Sequence, residues 1–165
     1  MGPPKIWMKL IGVFLHQKMT YLGIQEIGNI YRMIDTSTNI LAIIPARGNS
    51  KRLPRKNMLD FLGRPMLEWS IESALNTGIF QNIIVSSEDG EILQIAKNLG
   101  VDTHERDMKL SLDDVTVETV CCDIIKGRIY KEKHPDIICC LYATSPLRSA
   151  QDIVETVGLV ADGRY

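Results

Sequence analysis

The sequence predicts an α/β protein built on a mainly parallel sheet, and three observations carry that expectation. Short apolar runs at 40–44, 83–85 and 137–142 alternate with longer amphipathic runs, the order expected of βαβ units. The first run is apolar throughout, as a strand buried on both faces must be. Helix punctuation follows the runs: Pro65 and Ser149 stand where helices would open, Gly78 and Gly100 where they would close. A length of 165 residues, with 45% hydrophobic and 24% charged residues, suits one globular domain and excludes a disordered tail.

Taken in order, Ile40 to Ile44 is the first strand, ended by Pro45. A helix then opens at Pro65 with Met66, Leu67, Trp69, Ile71, Ala74 and Leu75 as its apolar face. Ile83 to Val85 is the second strand. Ser87 to Leu99 is expected to be helical, with Glu88, Asp89 and Glu91 near its positive end and Ile92, Ile95, Ala96 and Leu99 along one face. Val101 to His104 reads as a short extended piece. The next helix starts near Asp114 or Thr116 and turns Val117, Val120, Cys121, Ile124 and Ile125 inward. Ile137 to Tyr142 is the third strand. Ser149, three residues before Asp152, forms the pattern of a capping box and opens a last helix through Ile153, Val154, Val157 and Val160. Trp69 is expected in the core, His104 and His134 on the surface or in loops, and Asp113-Asp114 in an acidic turn rather than a metal pair.

Residues 1–39 lack this order. Four glycines, no clean period and no turn chemistry tie them to the sheet, so they are read as an unassigned extension ahead of a domain at 40–165, with a natural start near Met33. The apolar run Leu10 to Leu15 is too short for a signal-peptide core or a bilayer span, so no membrane association is expected. Cysteines fall as Cys121-Cys122 and Cys139-Cys140 among apolar neighbours, which reads as reduced core thiols in a cytoplasmic protein. With 19 Lys and Arg against 20 Asp and Glu, the net charge of -1 supplies no global field for nucleic acid or a membrane surface. Any phosphate chemistry must be local.

One such locality follows the first strand. Arg47 to Lys56 holds five cations in ten residues, and no acid lies between Asp35 and Asp60. In open α/β sheets ligands sit beyond the carboxyl ends of strands, where this loop falls. Gly48 permits close backbone approach, Asn49 and Ser50 offer hydrogen bonds, and the cations can neutralise phosphate oxygens, a pattern that fits a triphosphate. A Walker A loop is excluded because Ser50 precedes Lys51 and only one glycine is present; the dinucleotide fingerprint fails for want of three spaced glycines.

The stretch Ile43-Ile44-Pro45-Ala46-Arg47-Gly48-Asn49-Ser50-Lys51-Arg52-Leu53-Pro54-Arg55-Lys56-Asn57 resembles the nucleotide-binding signature of the acylneuraminate cytidylyltransferases, the CMP-sialic acid or CMP-nonulosonic acid synthetases. Gly63-Arg64-Pro65-Met66, Trp69-Ser70-Ile71, Ile84-Val85-Ser86-Ser87, Arg106 and Ala143-Thr144-Ser145-Pro146-Leu147-Arg148 continue the match in order, across about residues 40 to 165 and the N-terminal portion of the family. The related enzyme for the eight-carbon sugar Kdo has a shorter loop, so the Arg55-Lys56-Asn57 ending favours the nine-carbon branch.

The resemblance implies a Rossmann-like nucleotidyltransferase fold, of the nucleotide-diphospho-sugar transferase type, truncated here at its C-terminus. It implies transfer of CMP from CTP to a nine-carbon 2-keto sugar acid of sialic, legionaminic or pseudaminic type, with pyrophosphate leaving and Mg²⁺ required, on the way to cell-surface polysaccharide. Arg47 and Lys56 would be catalytic, stabilising charge on the phosphoryl oxygens. Ala46, Arg47, Gly48, Asn49, Ser50, Lys51, Lys56, Asn57 and Arg106 would bind nucleotide; Tyr142, Thr144 and Ser145 would face the sugar. The family's metal aspartates and dimerisation region are expected beyond the chain end, so no metal residue is assigned and the homodimer is implied by family alone. The alternative is an inactive fragment with partial nucleotide binding.

Three departures from the family pattern stand out, and they leave the sugar open. Tyr142 stands where sialic-acid enzymes usually have Gln, and Cys139-Cys140-Leu141-Tyr142 looks more like the pseudaminic branch, whereas Thr144 to Arg148 looks like the sialic and legionaminic ones. Val115 and Val117 stand near positions where sialic-acid enzymes have hydroxyl residues that help hold nucleotide, and Thr116 is the expected substitute. Glu88 stands where the strand-end motif more often has Asp.

Overall fold

The computed structural model describes residues 10–12, 34–35, 37–50, 53–127 and 134–163. In chain order its strands are β1 (Leu10–Gly12), β2 (Ile40–Pro45), β3 (Asp60–Phe61), β4 (Arg64–Pro65), β5 (Asn82–Ser87), β6 (Asp102–Glu105) and β7 (Ile137–Cys140). Five of them form one sheet in the order β1-β7-β2-β5-β6, and every pairing in it is parallel. β3 and β4 make a separate antiparallel hairpin. The expected mainly parallel α/β architecture is what forms.

β2 sits at the centre, with Ile43 opposite Ile84 on one side and Cys140 on the other. Because successive side chains of a strand alternate faces, its unbroken apolar run feeds two cores at once. Ile40, Ala42 and Ile44 face α1 (Met66–Leu75), α2 (Gly90–Asn98) and α4 (Ala150–Ala161), which contribute Leu67, Ile71, Ala96, Ile153 and Val157. Leu41 and Ile43 face α3 (Val117–Lys126) through Val120, Cys121 and Ile124. Each fully buried Ile or Leu contributes about 1.5–3 kcal/mol relative to exposure, so the two layers hold the strand ends rigidly in place. Cys121, Cys139 and Cys140 are buried and all four cysteines are free thiols. Burial pushes the Cys139 thiol up to about 12, which keeps it protonated and apolar in behaviour.

Helix ends follow local chemistry. Ser149 and Asp152 form the full capping box at the start of α4. Thr116 caps α3 by accepting the Thr119 amide at 3.3 Å. After α2, Gly100 takes φ +76 while its amide bonds the Lys97 carbonyl and the Val101 amide bonds that of Ala96, the paired closure that a left-handed glycine permits. Leu75, expected on the apolar face of α1, is instead 42% exposed at its last turn.

Four expectations are corrected. α2 begins at Gly90 rather than Ser87: Ser86 and Ser87 stay in β5 because they pair with His104 and Glu105, and Asp89 caps the helix by accepting the Glu91 amide at 2.9 Å. His104 is not a loop residue; it lies in β6 with its ring between Ser86 and Asp123. Trp69 is half-buried rather than in the core, and the Arg64 guanidinium lies over its ring, 3.6 Å from the centroid. The leader expected to lack any tie to the sheet supplies β1, while Ile34 joins the core and the Asn39 amide donates to Asp136 at 2.7 Å. A strand added along an edge needs only backbone groups, so it leaves little pattern in the sequence. His134 is exposed, and among the described residues no helix is long and apolar enough to cross a membrane.

Candidate active site

The loop that leaves β2 is built to present its cations. Ala46 extends the β2 register by donating its amide to the Ser86 carbonyl at 2.9 Å, and its methyl is buried in the core. Asn57 is buried and its side-chain amide donates to the Arg47 carbonyl at 2.9 Å, clasping the two ends of the loop together. Arg55 adopts φ +52, a left-handed conformation that costs a non-glycine residue about 1–2 kcal/mol. Ion pairs from Arg55 to Glu91 at 2.6 Å and Asp89 at 3.7 Å help to hold it there, and the chain turns immediately into a short 3-10 turn, Lys56–Met58. Gly48 is required for a different reason: a Cβ there would lie 2.3 Å from the Asp89 carboxylate.

Glu88 closes the back of this loop. One carboxylate oxygen accepts the Gly48 amide at 2.8 Å and the Asn49 amide at 3.4 Å. The other accepts from Arg106 Nε at 3.2 Å, from the same guanidinium's terminal nitrogen at 3.1 Å, and from the Ser111 hydroxyl at 2.6 Å. The Glu88 and Arg106 side chains are only 7% and 4% exposed. Burial by itself would push the Glu88 carboxyl upward, but hydrogen bonds from Ser111, its own amide, Gly48 and Arg106 outweigh it and hold the group below the usual carboxylate range.

These parts frame a cleft of about 250 Å³ at the carboxyl end of the sheet. Arg47, Ser50, Lys56 and Asn57 of the cationic loop line it together with Arg106 and with residues of the segments Leu110 to Asp113 and Val115 to Val117. Tyr142, Ala143 and Thr144 enter from the end of β7. Across the cleft Arg47 bonds Asp113 at 2.6 Å, both side chains remaining over a third exposed. Burial raises the Tyr142 phenol above its ordinary value, so it stays neutral.

Of the residues expected in the site, Arg47, Ser50, Lys56, Asn57, Arg106, Tyr142 and Thr144 therefore meet at one cleft. Gly48 and Asn49 turn their amides to Glu88 instead. Ala46 serves the core. Ser145 forms the turn after β7, its amide donating to Tyr142 and its carbonyl accepting from Arg148. Lys51 lies outside the described residues. Thr116 lines the cleft, but its hydroxyl is engaged in capping α3. Sequence reading missed Glu88 and Asp113 as partners of the cationic loop; the only signal for either was an acid near a strand or helix end.

The described residues contain no group of three His, Cys, Asp or Glu that could hold a metal ion. Glu88 is saturated by five donors and Asp113 is paired with Arg47, so these residues do not build a magnesium site among themselves. What the cleft offers is a cationic wall, an apolar wall from Val115, Val117 and Val120, and hydroxyls at Tyr142 and Thr144. That combination suits a phosphorylated ligand with one flat and one hydroxylated part.

Comparison with known proteins gives the family. Pseudaminic acid cytidylyltransferase of Campylobacter jejuni is 47% identical over 108 residues, which are 65% of this chain and 47% of that protein. The N-acylneuraminate cytidylyltransferase of Escherichia coli is 34% identical over 122 residues, 74% of this chain and 28% of that one. The chain thus spans about half the length, or less, of the curated relatives it matches. Among solved structures, CMP:2-keto-3-deoxy-manno-octonic acid synthetase complexed with CTP superposes with a TM-score of 0.59 at 24% identity, covering 76% of this chain and 49% of that one. The 4-diphosphocytidyl-2C-methyl-D-erythritol synthase from Anaerococcus prevotii gives 0.57 at 19% identity, with 79% and 53% covered, and both show the nucleotidyltransferase fold. The cytidylyltransferase family model matches residues 41–163, from the second residue of β2 to just past the end of α4, and to that family the chain belongs.

Proposed function

We propose that this chain carries the nucleotide-binding part of an enzyme that transfers CMP from CTP to a nonulosonic acid of pseudaminic type. The observation that carries the reading is the convergence, in one cleft, of the cations Arg47 and Lys56 with Tyr142 and Thr144, which follow β7, the strand next to β2. In the reaction proposed, the sugar's anomeric hydroxyl gives up its proton to solvent as its oxygen bonds to the α-phosphorus, the bond from that phosphorus to the bridging oxygen breaks, and pyrophosphate leaves with the electron pair. Arg47 and Lys56 stabilise charge on the phosphoryl oxygens, and Asn57 holds the loop that presents them. The pseudaminic preference is supported by the higher identity to the Campylobacter enzyme, 47% against 34% for the sialic-acid enzyme of Escherichia coli.

Mg²⁺ is proposed as a requirement on family grounds, with no step above routed through it. A cytoplasmic setting is supported by the buried free thiols, which suit a reducing compartment. A homodimer is proposed from the family resemblance and is checked by light scattering. The decisive experiment measures CTP binding by calorimetry and pyrophosphate release with CTP, Mg²⁺ and a panel of pseudaminic, legionaminic and N-acetylneuraminic acids. Release fastest with pseudaminic acid is expected. No CTP binding would overturn the reading, and binding without release on any sugar would reduce it to nucleotide binding alone.

A further inference from the structure

We propose that Glu88 is a positioning residue of the CTP site, holding the cationic loop and Arg106 in one fixed arrangement; the role rests on the CTP reading above. Five donors converge on its two oxygens from three separate segments: the Gly48 and Asn49 amides of the loop after β2, Arg106 after β6, and Ser111 of the 3-10 turn Met108–Ser111. Ser50, Arg106 and Ser111 all line the cleft, so the carboxylate ties together walls that are far apart in sequence. Arg47, one residue before Gly48, inherits its place from the same anchor.

Only an ionised carboxylate satisfies this set. Both oxygens must accept, because each faces nothing but donors. An amide of the same shape always turns its NH₂ toward either the Gly48 and Asn49 amides or Arg106 and Ser111, leaving donors face to face. The hub also spends Arg106. With its guanidinium held by Glu88 in an almost fully buried pair, Arg106 contributes shape and hydrogen-bond direction to the cleft while its charge is balanced. Among the described lining residues the remaining cations are Lys56 and Arg47, the latter in a half-exposed pair with Asp113. That these hydrogen bonds hold the Glu88 carboxyl below the usual carboxylate range fits this, since the ionised form is the one the donors select.

The test uses the 165-residue chain and two readouts. In amide-resolved NMR, the Gly48 and Asn49 signals should shift as the wild-type chain is acidified through the range where Glu88 takes up its proton. Glu88→Gln should remove that titration, and an unchanged pH profile in the variant overturns the proposal. In CTP calorimetry, Glu88→Gln should weaken binding at least tenfold, with Glu88→Asp, which keeps the charge, recovering part of the loss. CTP binding in Glu88→Gln as tight as wild type, or tighter, also overturns it. A wild-type chain that shows the NMR titration but no CTP binding would sink the functional reading and leave the anchoring of the loop by Glu88 standing. Should Glu88→Gln fail to fold, Ser111→Ala, which removes one surface-side donor, should move the Gly48 amide signal; no movement overturns the proposal.

Discussion

Arg47 meets two claims on its charge. Its guanidinium faces the cleft, yet it bonds Asp113 across the opening at 2.6 Å. Both partners are more than a third exposed, and exposed pairs of this kind contribute about 0–1 kcal/mol, so a triphosphate carrying several charges can displace Asp113. Two opposite outcomes follow at this position. Arg47→Ala should weaken CTP binding at least tenfold, because a charge-assisted phosphate contact is lost. Asp113→Asn should tighten it by up to about fivefold, since up to ~1 kcal/mol no longer opposes release of Arg47. Calorimetry on both variants decides: an unaffected Arg47→Ala removes Arg47 from the site, and weaker binding in Asp113→Asn would mean that the pair organises the cleft instead of blocking it.

Among the elements, those whose signal is local were legible. β2 announced itself by five consecutive apolar residues, α4 by Ser149 and Asp152, and the end of α2 by Gly100. Polar strand ends were not legible: Ser86 and Ser87 look like a helix start until His104 and Glu105 pair with them. The site divides in the same way. Arg47 and Lys56 fall within one loop, whereas the acids that hold that loop reach across 40 residues for Glu88 to Gly48 and 66 for Asp113 to Arg47, distances no periodicity records. His104 shows what such cross-element contacts do to stability. It joins β6 to Ser86 of β5 at 3.0 Å and to Asp123 of α3 at 3.3 Å. Burial lowers its basicity, Asp123 opposes and Arg106 assists, and the net shift is downward. The unfolded chain therefore binds the proton more readily than the folded one, so this contribution to stability is full above the ordinary histidine value of about 6.5 and is lost as pH falls below it through the folded value. Urea midpoints should drop between about pH 7 and pH 5.5 in the wild type and drop less in His104→Gln. Equal slopes would show that His104 is not the group responsible.

For the whole molecule, the parallel sheet determines both where the cleft forms and where the fold is vulnerable. The cleft lies at the carboxyl end of β2, β6 and β7, and its walls are loops whose roots are fixed by two buried layers. The outer side of β7 is the exposed flank of that scheme, and β1 covers it, with Leu10, Ile11 and Gly12 opposite Ile138, Cys139 and Cys140. A chain beginning at Met33 keeps β2, β5, β6 and β7 and every described helix that packs on them, so its core should still form. It uncovers one row of β7 backbone amides and carbonyls, and uncovered strand edges pair with other chains. Multi-angle light scattering should therefore show concentration-dependent association of the Met33-start chain beyond that of the full 165-residue chain, with CTP affinity within about twofold because none of the described cleft residues is removed. Identical molar masses for the two chains across the concentration range would mean that β1 contributes nothing to protecting the edge.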